Sequence, residues 1–201
     1  MNFLAHLLLA GDDEGLRLGA KLGDFVRGRQ ALAQFDDDIQ LGIMLHRHID
    51  AYTDSLPGVS ELRSWFVPPF RRYGGIIIDL ALDYELAQRW KDYSEVSLED
   101  FDQGVREMLA RHQKQLPGRL NGFMRYADRR GLFAAYREES EILYSLRGVG
   151  RRLSRPNPLH RVHEVWGDFE PLVSARFEPV FEEIQSDAVR WLKSRSTITG
   201  S

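Results

Sequence analysis

Cysteine is absent from the 201-residue chain. Its absence excludes disulfides, thiolate metal ligands and cysteine nucleophiles, and fits a reducing, cytoplasmic setting. No apolar run approaches the ~18 residues a membrane helix needs. The opening MNFLAHLLLAG has no basic leader and is interrupted by His6, so neither a signal peptide nor a membrane segment is expected. Alternating strand patterns, internal repeats and low-complexity tracts are also missing. So are a glycine-rich phosphate loop and a nucleophile elbow, which leaves P-loop, dinucleotide and serine-hydrolase chemistry without a motif. With a net charge of −3 and no recognised binding module, nucleic acid is not expected as a partner.

What remains is a soluble globular composition, 43% hydrophobic and 28% charged. The chain is long enough to bury a sizeable core without crosslinks. Helical spacing and cap residues predict an all-α, single-domain bundle over 1–195 with a tail at 196–201. A short buried helix over 3–10 carries His6. Asp12 and Asp13 cap the next helix, which runs toward LGDFVRGR with Gly28 as its stop. Asp36, Asp37 and Asp38 open a helix over 39–52, and Pro57 and Pro68-Pro69 bracket another over 59–66. The stretch 71–93 reads as a central buried helix. Ser97 with Asp100 opens a helix through Leu116, ended by Pro117-Gly118. Helices over 120–130 and 132–153 are separated at Gly131. A last one over 159–194 is expected to break or kink near Pro171 and Pro179.

The densest chemical signal is GIMLHRHIDAYTD at 42–54. His46 and Asp50 stand four apart, which on a helix puts them on one face with β-carbons about 5–6 Å apart. Asp54 extends that row, and Asp79 and Asp83 repeat the spacing in IIIDLALDYELA. His6 and Asp24 also sit in apolar surroundings, where a carboxylate is costly unless paired or bound to a cation. Taken singly, each has an ordinary reading as a cap, an ion-pair partner or a satisfied core residue. Together, on four helices, they point to a metal site inside a helical bundle. Oxygen and imidazole ligands suit Mn²⁺, Mg²⁺ or Fe²⁺, with Zn²⁺ as a further option. His112, His160 and His163 read as solvated.

Charge is uneven. From Ile142 to His163 there are five arginines, Arg147, Arg151, Arg152, Arg155 and Arg161, and no acidic residue. Arg27, Arg29, Arg47, Arg71 and Arg72 add to them. Such a surface attracts phosphate or an acidic partner, unless it is an ordinary solvated face.

Four ordered stretches then carry a likeness: MNFLAHLLLA, KLGDFVRG at 21–28, GIMLHRHIDAYTD, and RRYGGIIIDLALDYELAQRW at 71–90. Together they resemble the bacterial acyl carrier protein phosphodiesterases, strongly over the N-terminal half and by length and helical pattern beyond it. The resemblance implies a divergent HD-domain-like fold and Mn²⁺-dependent hydrolysis of holo-acyl carrier protein to 4′-phosphopantetheine and the free carrier. It also implies His6, Asp24, His46, Asp50 and Asp83 as site residues, with Asp79 as the alternative. The HD pattern uses an adjacent His-Asp pair, which this chain lacks. His48 and Asp50 diverge by about 200° on a helix, so His46 with Asp50 is the compact substitute. On this reading His46, Asp50 and an acid from 79–83 hold the ion, and His6 or Asp24 completes its shell or acts as general base. Arg27 or Arg47 steadies the phosphate, while Arg151 and Arg152 meet the acidic carrier. Two other functions fit the same residues: an HD-type hydrolase of nucleotides or other small phosphoesters, and a non-catalytic helical module with arginine-paired carboxylates.

Overall fold

A computed structural model describes residues 3–113, 116 and 133–196. Among them the regular structure is entirely helical. Helix α1 (Phe3–Leu9) buries Leu4, Ala5 and Leu7 and carries His6 into the core. Asp13 caps α2 (Glu14–Leu22), accepting the Leu16 amide at 2.8 Å. A turn through Gly23 and Asp24 leads to α3 (Gly28–Leu32). Gly28 therefore opens a short helix, with φ +79°, and the expected long second helix stops at Leu22.

Helix α4 (Asp37–Ser55) follows its acidic first turn, and α5 (Pro57–Trp65) starts with proline where a missing N–H costs nothing. The stretch 71–93 resolves into α6 (Gly74–Gln88) between 3₁₀ turns at Arg71–Tyr73 and Trp90–Asp92. Ser97 caps α7 (Leu98–Arg111), accepting the Asp100 amide at 3.1 Å while its hydroxyl donates to the Asp100 carboxylate at 2.7 Å. A 3₁₀ turn at Ala134–Arg137 precedes α8 (Glu139–Arg152), later than the expected start. The break at Pro117-Gly118, the helix over 120–130, the separation at Gly131 and residues 197–201 of the tail lie outside the described residues.

The last helix, α9 (His163–Ser196), continues through Pro171 and Pro179, so the chain does not break at either proline. Trp166, Phe169, Val173, Phe177, Phe181 and Ile184 are all buried along it. Their spacing makes one apolar stripe that spans both prolines. Packing on both sides of each proline keeps the helix continuous where a solvated one would part. Among the described residues the buried apolar side chains form one cluster, and no helix is long and apolar enough to cross a membrane.

Helices α2 and α4 approach backbone to backbone. A β-carbon on Gly19 would stand 2.2 Å from the Ile39 carbonyl oxygen, and one on Gly42 2.2 Å from the Leu16 carbonyl oxygen. Only glycine at both positions lets the backbones meet so closely. That contact sets the distance between the turn bearing Asp24 and the α4 face bearing His46 and Asp50.

Candidate metal centre

Three elements converge beside the middle of α4. His6 reaches in from α1, His46 and Asp50 share one face of α4, and Asp24 comes from the turn after α2. His6 Nε2 lies 3.0 Å from Asp50 Oδ1, and His46 Nε2 lies 3.2 Å from Asp50 Oδ2 and 3.4 Å from Asp24 Oδ1. The imidazoles stack with centroids 3.9 Å apart. Both histidines are buried, whereas the Asp50 and Asp24 side chains are 43% and 53% exposed. The site has a dry imidazole wall and a carboxylate mouth open to solvent.

Burial and the neighbouring His46 pull the His6 imidazole down to about 4, so it is neutral near pH 7. Burial also works against charge on His46, but the Asp24 and Asp50 carboxylates overcome it and hold this imidazole at about 9. Both carboxyls gain from the imidazoles more than burial costs them and stay below the usual carboxylate range. A proton on His46 thus balances two carboxylates in the metal-free protein. With a folded value above the ordinary 6.5, this interaction stabilises fully below pH 6.5 and is lost as pH rises through about 9.

The donor set fits a divalent ion. One ligand atom each from His6, His46 and Asp50 lies within 4.8 Å of the others. His46 Nε2 is buried and faces two carboxylates without hydrogen-bond geometry to either, as expected where a cation would take the proton's place. Mn²⁺ uptake at pH 7 should therefore release about one proton, with the release fading above about pH 9. Calorimetry in two buffers of different ionisation enthalpy measures it, and uptake without proton release would remove His46 from the ligand set.

The structure does not bring Asp83 to this cluster. Its buried carboxylate accepts the amides of Leu4 and Ala5 at 2.9 and 3.3 Å, capping α1 from inside the core, and burial raises its pKa to about 7. These amides are among the four that a helix start leaves without partners. Asp83 therefore acts on His6 at one remove, by fixing the seven-residue helix that carries it. Asp83→Ala should cost roughly 2–4 kcal/mol in urea unfolding, from two buried donors left without an acceptor, and Asp83→Asn less. Asp79 is half-buried on the same helix.

Other expectations are redistributed. His48 turns away, as its helical angle requires, and pairs with Asp187 of α9 at 2.5 Å, while Asp54 meets Arg63 at 2.5 Å. Arg47 donates to the Val26 carbonyl at 2.7 Å and so braces the turn that holds Asp24. Arg27 is exposed at the start of α3. Arg151 and Arg152 are exposed at the end of α8. One positioning residue was missed from sequence: a β-carbon on Gly23 would stand 2.2 Å from His46 Cγ. Its only signal was a glycine directly before Asp24 in KLGDF.

The family model for acyl carrier protein phosphodiesterases matches residues 1–184. A protein of that name from Yersinia pestis is 35% identical over 153 residues, covering 76% of this chain and 79% of its own. Another from Enterobacter sp. (strain 638) is 34% identical over 171 residues, covering 85% and 86%. A third, from Escherichia coli (strain K12 / DH10B), is 33% identical over 194 residues, covering 94% and 98%. No solved structure matches the chain.

Proposed function

The chain belongs to the acyl carrier protein phosphodiesterase family, and from that premise we propose that it hydrolyses holo-acyl carrier protein to the free carrier and 4′-phosphopantetheine. We assign the chemistry to the His6, His46, Asp50 and Asp24 cluster, read as a divergent HD-type centre. Mn²⁺ is the proposed ion, with Mg²⁺ or Fe²⁺ as substitutes. The observation that carries this reading is the convergence of two buried imidazoles and two solvent-facing carboxylates in a chain matched to the family along 1–184.

His6 and His46, whose Nε2 atoms face Asp50, would hold the ion together with an Asp50 oxygen. A divalent ion there supplies positive charge that acidifies water and offsets the charge of the phosphoryl oxygens. Asp50 touches both imidazoles and keeps their Nε2 atoms aimed at one point. Asp24, ionised and at the open edge, is assigned the proton of the attacking water. The water oxygen bonds to phosphorus as the bond to the carrier serine oxygen breaks, and that serine oxygen takes up a proton. The buried imidazole wall keeps bulk water from one side of the site, where a fixed charge then acts more strongly.

Mass spectrometry of holo-acyl carrier protein incubated with the protein and Mn²⁺, with and without EDTA, tests the reading. The carrier should lose its phosphopantetheine mass only when metal is available. An unchanged carrier alongside turnover of a nucleotide or a small phosphodiester would move the assignment to small phosphoesters.

A further inference from the structure

Two stretches without an acidic residue, 64–78 and 142–163, are far apart in the chain. The fold brings them together: the Tyr73 hydroxyl donates to the Pro156 carbonyl at 3.2 Å. Arg71 and Arg72 precede that contact on one side, and Arg151, Arg152 and Arg155 surround it on the other. All five are exposed. None forms an ion pair with a carboxylate among the described residues, whereas Arg63, Arg137 and Arg176 elsewhere on the surface each do. Arg147 lies one helical turn before Arg151 and continues the same row.

Burial lowers the pKa of the Lys21 ammonium, the Asp24 carboxylate opposes that shift and the Arg152 guanidinium adds to it, so Arg152 and Asp24 both act on one buried group. Two large apolar side chains flank the arginines: Val67, 67% exposed, and Leu153, 37% exposed. Unpaired guanidinium groups with solvent-exposed apolar side chains among them match a protein surface that presents carboxylates around apolar contacts. A nucleic acid would use the charge but leave Val67 and Leu153 without partners.

We propose that the surface formed by Arg71, Arg72, Arg151, Arg152 and Arg155 with Val67 and Leu153 docks an acidic protein, the carrier whose phosphodiester is cleaved at the metal centre. The proposal rests on the function proposed above and adds a recognition surface to it. Recognition is then divided: the carrier body is held by guanidinium–carboxylate pairs, and the centre meets only the phosphodiester arm. Exposed charges of this kind act on encounter and are screened by salt.

Binding of apo-acyl carrier protein, which has no phosphodiester to turn over, separates docking from chemistry. R71E/R72E and R151E/R152E should each weaken that binding about tenfold or more at low ionic strength, with unchanged thermal unfolding. K91E/K193E, an equal charge change at exposed sites elsewhere, should leave it near the parent value. The surface is overturned if both arginine pairs bind as tightly as the parent, if the control weakens binding equally, or if DNA binds the parent more tightly than apo-carrier does. Hydrolysis of holo-carrier is read separately. Full hydrolysis with unaffected docking sinks the surface alone, whereas arginine-dependent docking without hydrolysis supports the surface and counts against the proposed reaction.

Discussion

Asp50→Ala should lower holo-carrier hydrolysis by about a thousandfold or more, because it removes a ligand and the common anchor of two others. Asp50 Oδ1 and Oδ2 separately meet His6 Nε2 at 3.0 Å and His46 Nε2 at 3.2 Å. No other carboxylate among the described residues touches both rings. Without it His46 keeps only Asp24, at 3.4 Å, and loses one of the two charges that hold its imidazole at about 9. Ion affinity should fall with activity, read as metal content after desalting. Asp50→Asn separates shape from charge: it keeps the side-chain outline and should remain within about tenfold of the alanine variant, because an amide is a poor substitute for an anionic ligand. Asp50 is 43% exposed, so cooperative thermal unfolding should survive in both variants. Near-parental turnover by Asp50→Ala would rule out this cluster as the reaction centre.

Gly23→Ala carries the second large effect, although Gly23 makes no contact with substrate. Its added β-carbon would stand 2.2 Å from His46 Cγ and 2.3 Å from Cδ2. The ring cannot swing outward, since His46 is 3% exposed and stacked on His6 at 3.9 Å. Nor can α2 and α4 part cheaply, because they already meet backbone to backbone at Gly19 and Gly42. Overpacking of this kind costs about 1–3 kcal/mol. A ligand displaced by about an ångström costs on the order of a hundredfold in rate. The expected result is a lowered midpoint in urea together with a hundredfold loss of turnover and weakened Mn²⁺ binding. Gly104→Ala is the matched control, with nothing within 4 Å of the added atom, and should be neutral or slightly stabilising. Unaltered metal binding in Gly23→Ala would mean that His46 is not held where these distances place it.

Much of the centre was legible because helical spacing is a geometric statement. His46 and Asp50 share a face for the same reason that His48 does not, and the structure sends His48 to Asp187. His6 could be named from its apolar surroundings, since burial demands a partner, whereas Asp24 follows an apolar run in sequence yet stands half-exposed at the mouth of the cluster. Asp83 satisfied that same rule, but its carboxylate is met by the Leu4 and Ala5 amides and not by the His6–His46–Asp50 cluster. A buried carboxylate can be stabilised by backbone amides as well as by a cation, and nothing local to 79–83 reveals that α1 starts beside it. Gly23 was illegible because its role depends on a ring on another helix.

The helical class followed from periodicity, whereas the course of α9 through Pro171 and Pro179 did not. Propensity judges a proline within its own helix, and here the aromatic stripe from Trp166 to Phe181 decides. The arginine-rich stretch 142–163 was visible as composition. Its union with Arg71 and Arg72 needed the Tyr73–Pro156 contact.

Anomalous diffraction from crystals grown with Mn²⁺ tests the central assignment most directly. A peak within coordination distance of His6 Nε2, His46 Nε2 and an Asp50 oxygen, absent in Asp50→Ala, is the predicted result. A peak held by Asp79 and Asp83, or none at the His6–His46–Asp50 cluster in catalytically active protein, would contradict it.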